Sequence, residues 1–433
     1  MSDHHRTLLL YIAGSLAGHV LQDEDGAMSF TYEPSHSGSP VSLSMPIAPA
    51  TYPQRIIRPY LQGLLPDDPS VRANIADRYN CSGENPFALL THIGLDCPGA
   101  VQLVPDCAAP LVESGSGSLI ELSDSDLEER LRLLRERASS PWEAGRTGRW
   151  SLGGAQSKMA LRYQDGRWYD CEGSEPTTHI LKPGVIGYDN QALDEYLCQK
   201  VALAMGLPAA QVEYLAFGSE HAVSIKRYDR ASNEDGTVVR VHQEDLCQAL
   251  GVDPSRKYAE QGGPSSPDVL ALLGNTGADG PRNLQLFVLY LLFNYFMGAT
   301  DAHAKNYSVL LGVGGTALLA PLYDVASIAP YQSLSPRRRK PLRAAMSIGG
   351  ENRFGMLDSK HLEQLSHNKG LAAAGITREW IMASAERMAT EVPQALQAVL
   401  DEASEACLVG IKKVGPALIH EVSANCRRFL ERL

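Results

Sequence analysis

Hydrophobic and polar positions divide the chain into three stretches. In the first hundred residues, Leu8-Leu9-Leu10-Tyr11-Ile12-Ala13 reads as a strand, with Gly14 and Gly18 at turn positions. A second strand, Met28 to Tyr32, follows the turn-forming Asp23-Glu24-Asp25-Gly26. Leu43-Ser44-Met45-Pro46 ends an extended piece. Pro59 to Tyr79 is helical around a break at Pro66-Asp67-Asp68-Pro69. Phe87 to Ile93 is a further helix and Ala100 to Val104 a strand, which together predict a small α+β unit.

Asp106 to Ser118, rich in Ala, Pro, Gly and Ser, reads as a linker. Ser125 with Glu128 has the spacing of a capping box, and Leu127, Leu131 and Leu134 then fall on one helical face. From Ser151 to about Ala326, glycine loops, short strands and helices alternate, including an amphipathic helix from Asn190 to Met205. The longest apolar run is Leu286 to Phe293, extended by Tyr295 to Met297. Beyond Asp358 the pattern is mainly helical, with segments Lys360–Leu365, Thr377–Val392 and Pro393–Ala406. No internal repeat is evident. The expected division of the chain is 1–107, 108–148, 149–230 and 231–433.

Composition narrows the class. A length of 433 residues with 44% hydrophobic and 21% charged residues is that of an ordinary globular chain of two or three domains. The net charge of −11 argues against a broad electrostatic footprint for nucleic acid or anionic membrane. The basic run Arg337-Arg338-Arg339-Lys340 with Arg343 is a local exception. Its ordinary reading is a solvated loop, its sharper one a phosphate or partner contact. Eight cysteines include no Cys-x-x-Cys pair, so neither zinc nor redox spacing is present. The N-terminus lacks the apolar core of a secretory signal, and the longest apolar run is too short to span a bilayer and contains Asn294. The expectation is a cytoplasmic protein with reduced thiols and no membrane association.

The most restrictive chemistry lies in Thr300-Asp301-Ala302-His303-Ala304-Lys305-Asn306-Tyr307, followed by Leu322-Tyr323-Asp324. An Asp and an Asn five positions apart, then a second Asp after a short hairpin, is the arrangement of kinase phosphoryl transfer. The first Asp accepts the proton of the attacking hydroxyl; the Asn and second Asp hold Mg²⁺ against the nucleotide phosphates. The flanking runs Tyr307–Leu311 and Thr316–Leu319, joined by Gly312-Val313-Gly314-Gly315, predict that hairpin. Lys305 lies where it can steady a γ-phosphate. Each residue alone is also an ordinary turn-former; the spacing of all three favours the catalytic reading.

Upstream segments supply the rest of such a site. Ser151-Leu152-Gly153-Gly154-Ala155-Gln156-Ser157-Lys158 has two glycines that let backbone N–H groups approach phosphate, and a lysine to add charge. It is neither a Walker A nor a Gly-x-Gly-x-x-Gly loop. Thr178-His179-Ile180-Leu181-Lys182 reads as a strand presenting Lys182, with Glu195 or Asp194 of the following helix as its partner. Ala222 to Asp229 is a strand running into a polar segment, where an inter-lobe hinge would meet adenine. An edge strand with charged ends explains the same residues, so position in the order decides.

These segments, in this order, resemble the HipA family of serine/threonine kinase toxins from bacterial toxin–antitoxin modules. The resemblance covers nearly the whole chain. It adds Leu64-Leu65-Pro66-Asp67, Ile93-Gly94, Pro98-Gly99-Ala100-Val101, Gln243 to Leu250, Lys257-Tyr258 with Gly262-Gly263-Pro264, Pro321 to Val325 and Ala345 to Gly349. It implies an α+β, two-lobed protein-kinase-like fold with an N-terminal α+β subdomain and a mainly helical C-terminal lobe. By the same resemblance Asp301, Asn306, Asp324 and Lys182 are catalytic, with Asn306 and Asp324 the metal pair. ATP is met by Gly153, Gly154, Ala155, Gln156, Ser157, Lys158, Lys182, Lys226, Arg227, Tyr228, His303, Lys305, Asn306, Tyr323 and Asp324. ATP and Mg²⁺ are the implied cofactors. Ser151 matches the loop serine that family members phosphorylate to switch themselves off.

Two positions depart from the family pattern: Ser157 stands where an acidic residue is common, and Lys226 where Glu is common. The implied partners are a HipB-like helix-turn-helix antitoxin, operator DNA reached mainly through that antitoxin, and a protein substrate such as an aminoacyl-tRNA synthetase, notably the glutamate-charging one. Two rival readings are a non-catalytic corepressor and a small-molecule kinase. The intact Asp301, Asn306, Asp324 and Lys182 set argues against the first, and the matching N-terminal unit against the second.

Overall fold

The computed structural model describes residues 6–136, 150–334 and 342–433. They form two compact units: residues 1–186, 215–255 and 309–317 make the first, and 187–214, 256–308 and 318–433 the second. The N-terminal α+β unit and the phosphate-loop sheet belong to one body, because hydrogen bonds and ion pairs from residues 227–248 reach back to residues 41–99.

The first unit contains two sheets. The first has strand order β4-β3-β2-β1-β5, with β1 Arg6–Ile12, β2 Ser15–Gln22, β3 Met28–Tyr32, β4 Thr51–Pro53 and β5 Val101–Val104. Helix α1 (Gln54–Leu64) packs on β3, and α3 (Pro86–Ile93) on β5. Leu8, Leu10, Val20, Phe30, Ile57, Leu61, Phe87 and Leu103 form the core between them. Helix α2 (Pro69–Tyr79) starts on an Asp68 cap, so the expected break at 66–69 separates α1 from α2.

Strand β2 corrects an expectation. Gly18 is not a turn residue but lies inside β2, paired with Tyr32 of β3. Its missing side chain leaves room for Phe30: a Cβ there would meet the Thr31 carbonyl oxygen and would stand 2.6 Å from the Phe30 ring. Gly18→Ala is expected to destabilise the unit by about 1–3 kcal/mol through overpacking. Urea unfolding checks this, and an unchanged midpoint would refute the tight approach.

The second sheet has order β10-β11-β9-β7-β8-β6, with β6 Gly117–Leu122, β7 Met159–Gln164, β8 Arg167–Gly173, β9 His179–Lys182, β10 Val212–Phe217 and β11 Glu220–Lys226. The expected linker thus contains a short helix, α4 (Ala109–Glu113), and starts β6, which pairs with β8. Pairing, not composition, makes that strand. Helix α5 (Asp124–Glu136) buries Leu127, Leu131 and Leu134 against Met159, Leu161, Trp168 and Leu181. Its capping box is Ser123 with Asp126 rather than Ser125 with Glu128. Ser123 N donates to Asp126 Oδ2 at 2.9 Å and Asp126 N to Ser123 Oγ at 3.2 Å. Glu128 instead accepts from Ser219 N at 2.7 Å.

The second unit is mainly helical: α6 (Gln191–Ala204), α7 (Ser266–Gly274), α8 (Gly280–Met297), α9 (Arg378–Glu405) and α10 (Ile411–Leu430) are its longest helices. Helix α8 is buried on nearly every face, which accounts for its unbroken apolar run. Helix α9 continues past Pro393, so the two helices expected on either side of that proline are one. Burial of Val392, Leu396, Val399 and Leu400 outweighs the hydrogen bond that a proline forfeits. Helix α10 has no counterpart in the sequence expectation, although Ile411, Val414, Leu418 and Val422 recur at helical spacing and are buried. No helix among the described residues is long and apolar enough to cross a membrane. Those residues include all eight cysteines, none of them in a disulfide. The run Arg337–Lys340 lies outside the described residues, while Arg343 donates to Asn352 Oδ1 at 2.9 Å.

Candidate active site

Helix α8 ends on Gly298, whose left-handed conformation (φ 73°) turns the chain sharply out of the core. Within α8, Asn294 is one of two buried polar residues, with Asn283, and its Nδ2 donates to the Tyr307 hydroxyl at 2.9 Å. That bond, with the Phe287 ring edge-on to Tyr307, ties the far end of the loop to the helix that delivers its beginning.

Between these anchors the loop hydrogen-bonds to itself. The Asp301 carbonyl accepts from His303 N at 2.7 Å and from Asn306 Nδ2 at 2.9 Å, and Asn306 N donates to His303 O at 2.9 Å. Asn306, His303 and Lys305 are buried, whereas the Asp301 side chain is 67% exposed. The backbone of Asp301 is thus fixed while its carboxylate faces solvent.

Tyr323 brings in the second Asp. Its hydroxyl donates to Lys305 O at 2.8 Å and shares a 2.8 Å hydrogen bond with Ser308 Oγ, gripping the loop on both sides of Asn306. Asp324 follows with φ 60°, a left-handed conformation that a non-glycine residue adopts only where its surroundings impose it. The hairpin is formed as expected: Gly312 N donates to Thr316 O near its tip, and Ala320 N to Ser308 O at its base. Among the described residues no group of three or more His, Cys, Asp or Glu is placed to hold a metal. Asn306 and Asp324 fit a different case, an all-oxygen pair suited to Mg²⁺, which takes most of its octahedral shell from phosphate and water.

Tyr258 is a site residue that sequence reasoning names only as part of a family motif. Its hydroxyl donates to Asp301 Oδ1 at 2.5 Å, and its ring stands edge-on to His303 with centroids 4.8 Å apart. No local pattern announces this contact between residues 43 positions apart. Tyr258→Phe is expected to lower kcat about tenfold by loosening the carboxylate, with little change in KM for ATP. Steady-state kinetics checks this; an unchanged kcat would remove Tyr258 from the positioning role.

Of the two acidic candidates on α6, Asp194 is committed within the second unit. Its Oδ2 accepts from Ser327 N at 2.9 Å and its Oδ1 from the Cys198 thiol at 3.6 Å. Burial pushes its carboxyl well above the usual range. Asp194 therefore anchors the segment just after Asp324. Glu195 is buried beside it.

In the first unit the glycine loop is folded inward. Ser151 is fully buried: its Oγ donates to Leu64 O at 2.5 Å and its N to Asp96 O at 2.9 Å. Gly154, at φ +100°, accepts at its carbonyl from Asp67 N at 3.1 Å, and Lys158 Nζ donates to Gly153 O at 2.9 Å. The Leu64–Asp67 corner is thus the floor of the loop. Gly153 to Lys158 lead into β7, and Lys182 ends β9, buried and paired with Val223 of β11.

At the end of β11, Lys226 is exposed, and Tyr228 donates through its hydroxyl to Gln243 Oε1 at 2.5 Å. Arg227 turns inward instead. Its N–H donates to Thr178 O at 2.9 Å, and its guanidinium pairs with Asp229 at 2.8 Å and Asp96 at 3.2 Å. Its side chain is therefore structural, part of a buried cluster that sequence reasoning missed, in which Arg230 and Arg240 also pair with Asp96. Burial alone would raise the Asp96 carboxyl, but Arg230, Arg227 and Arg240 together hold it well below the usual carboxylate range.

Comparison with known proteins matches the HipA N-terminal domain at residues 8–104 and the HipA-like C-terminal domain at residues 150–397. A relative from Sinorhizobium fredii, named "Putative kinase Y4mE", is 34% identical over 86% of this chain and 88% of its own. The serine/threonine-protein kinase toxin HipA of Shewanella oneidensis is 28% identical over 98% of this chain and 96% of its own. The solved complex of Shewanella oneidensis HipA with HipB and operator DNA aligns with a TM-score of 0.77 at 25% identity, covering 98% of this chain and 97% of that one. Fold and site together define a kinase-like protein of mixed α/β class. The chain belongs to the HipA family.

Proposed function

We propose that this protein is a serine/threonine protein kinase toxin that transfers the ATP γ-phosphoryl group to a Ser or Thr of a translation-related protein in the cytoplasm. The observation that supports the reading is the self-bonded loop that exposes the Asp301 carboxylate while the Tyr323 hydroxyl, next in sequence to Asp324, holds the chain on both sides of the buried Asn306. In this reading Asp301 takes the proton of the substrate hydroxyl, while Lys182, Lys158 and the glycine loop hold phosphate oxygens. Mg²⁺, held by Asn306 and Asp324, would neutralise charge on the phosphates. Lys226 to Tyr228 meet adenine, with the Arg227 guanidinium left to the ion cluster. The named activity of the Shewanella relative supports the toxin reading.

The HipB and operator DNA bound to that relative support an equivalent helix-turn-helix antitoxin here. Such an antitoxin would supply the phosphate neutralisation that a chain of net charge −11 lacks. Among translation proteins the glutamate-charging tRNA synthetase is the proposed substrate. The test is incubation of the purified chain with Mg·ATP and that synthetase, followed by intact-mass measurement. Absence of phosphorylation on the synthetase rejects the substrate; absence of any phosphorylated protein in a lysate labelled with the kinase rejects the kinase.

Ser151 is the proposed self-inactivation site. A phosphate adds roughly −1.5 to −2 charge at neutral pH. That charge has no place where Ser151 Oγ now sits against the Leu64 carbonyl, so phosphorylation would expel the loop. Ser151→Ala is expected to keep early turnover but lose the decline in rate over time. A phosphorylation state equal to wild type by intact mass would sink this assignment.

A further inference from the structure

Asp324 keeps its left-handed backbone, φ 60°, only if the chain on both sides of it is held. Upstream, the Tyr323 hydroxyl bonds to Lys305 O and Ser308 Oγ. Downstream, the hold is Ser327, a buried residue that no sequence motif singles out. Its Oγ donates to Met297 O at 2.6 Å and accepts from Ala329 N at 3.2 Å, and its N donates to Asp194 Oδ2 at 2.9 Å. The next residue continues the seam, with Ile328 N donating to Gly298 O at 3.1 Å.

Met297 and Gly298 are the end of α8, just ahead of Asp301. The last carbonyls of a helix find no partner within it and must be answered from outside. Here the Met297 carbonyl is answered by Ser327, and those of Tyr295 and Phe296 by Asn425 Nδ2 of α10 at 2.8 and 3.3 Å. Gly298 has no side chain to keep Ser327 away: a Cβ there would stand 3.3 Å from Ser327 Oγ.

The two side chains that close this helix end differ in what they join to it. Asn425 ties α8 to α10. Ser327 ties the helix that delivers Asp301 to the segment that bears Asp324, and Asp194 of α6 fixes the same Ser327 peptide from a third direction. Asp324 is thus bracketed by two seams, at Tyr323 and at Ser327, and both lead to the chain on either side of Asp301.

We propose that Ser327 is a positioning residue for Asp324, its hydroxyl setting where the Asp324 segment stands relative to the Asp301 loop. The proposal deepens the kinase reading and rests on it for the role of Asp324, not for the seam itself. Hydrogen exchange on the full chain without nucleotide reads the seam. Ser327→Ala should speed exchange at the Ile328 and Ala329 amides about tenfold, the loss of one buried hydrogen bond, and leave the Leu322 amide, which donates to Pro208 O, unchanged. Calorimetric titration with a non-hydrolysable ATP analogue across a range of Mg²⁺ concentrations reads the consequence. Mg²⁺ should tighten analogue binding to wild type, and in Ser327→Ala the Mg²⁺ concentration for half of that effect should rise about tenfold.

Asn425→Ala, which opens the same helix end without touching the Asp324 segment, should lower the melting temperature and leave the Mg²⁺ requirement at the wild-type value. Unchanged exchange in Ser327→Ala, a wild-type Mg²⁺ requirement in that variant, or an equal rise in Asn425→Ala overturns the positioning role. If Ser327→Ala fails to fold, Ser327→Cys, whose thiol is only a weak donor, carries the same two measurements. A wild-type chain that binds no analogue fails the kinase reading instead, and the exchange result alone then decides the seam.

Discussion

Asp301→Gln is expected to cut phosphoryl transfer by about 10²–10⁴-fold, the usual contribution of a positioned general base. The substitution should leave the loop's frame standing, because the bonds that shape it use the Asp301 carbonyl and not its carboxylate. The exposed side chain has no core to disturb, and glutamine still offers Tyr258 an oxygen to bond. Folding, measured by circular dichroism and thermal unfolding, should therefore match wild type while the rate collapses. Binding of a nucleotide analogue should survive, since Asn306, Asp324 and Lys182 are untouched. A variant with full activity would remove Asp301 from the role of base and, with it, the kinase reading of this loop.

Asp96→Asn is the change expected to cost most in stability. Three buried guanidiniums converge on one carboxylate, and Thr177 Oγ1 adds a hydrogen bond at 2.6 Å. Removing the charge leaves Arg227 and Arg230 with Asp229 alone and takes from Arg240 its ion pair with Asp96, and breaking a buried pair this way costs about 3–5 kcal/mol. The sign of the pH dependence follows from the direction of the shift. The Asp96 carboxyl is depressed in the folded state, so its stabilisation is complete above the ordinary carboxylate range and is lost as pH falls below it. Urea unfolding at neutral pH should show the loss, and acid unfolding of the variant should lack the part of the wild-type slope owed to this group. A midpoint shift worth less than about 1 kcal/mol would mean that solvent or relaxation compensates the cluster.

Much of the candidate site was legible in the sequence because its spacing is local. Asp301 and Asn306 sit in one turn of chain, Gly298 ends the helix before them, and the glycines at 312–315 close the hairpin behind them. Lys182 at the end of a β-branched and apolar run was legible for the same reason. Two of the fold's errors were of one kind. Gly18 looks like a turn until Phe30 is placed over it; Pro393 looks like a helix end until the burial of its neighbours is known. Intrinsic preference is weak, and tertiary packing overrode it at both places.

The sequence by itself determined the turn at Thr300–Tyr307, the hairpin and the order of the segments around them, since caps, turns and short spacings act within a few residues. Only the tertiary structure decided the rest. It turned Arg227 inward to Asp96, 131 positions away, set Tyr258 against Asp301, and buried Ser151 under the Leu64 carbonyl. Each of these depends on which distant groups share a desolvated space. There the cost of an unpaired charge or donor selects the partner, and no local pattern encodes that selection.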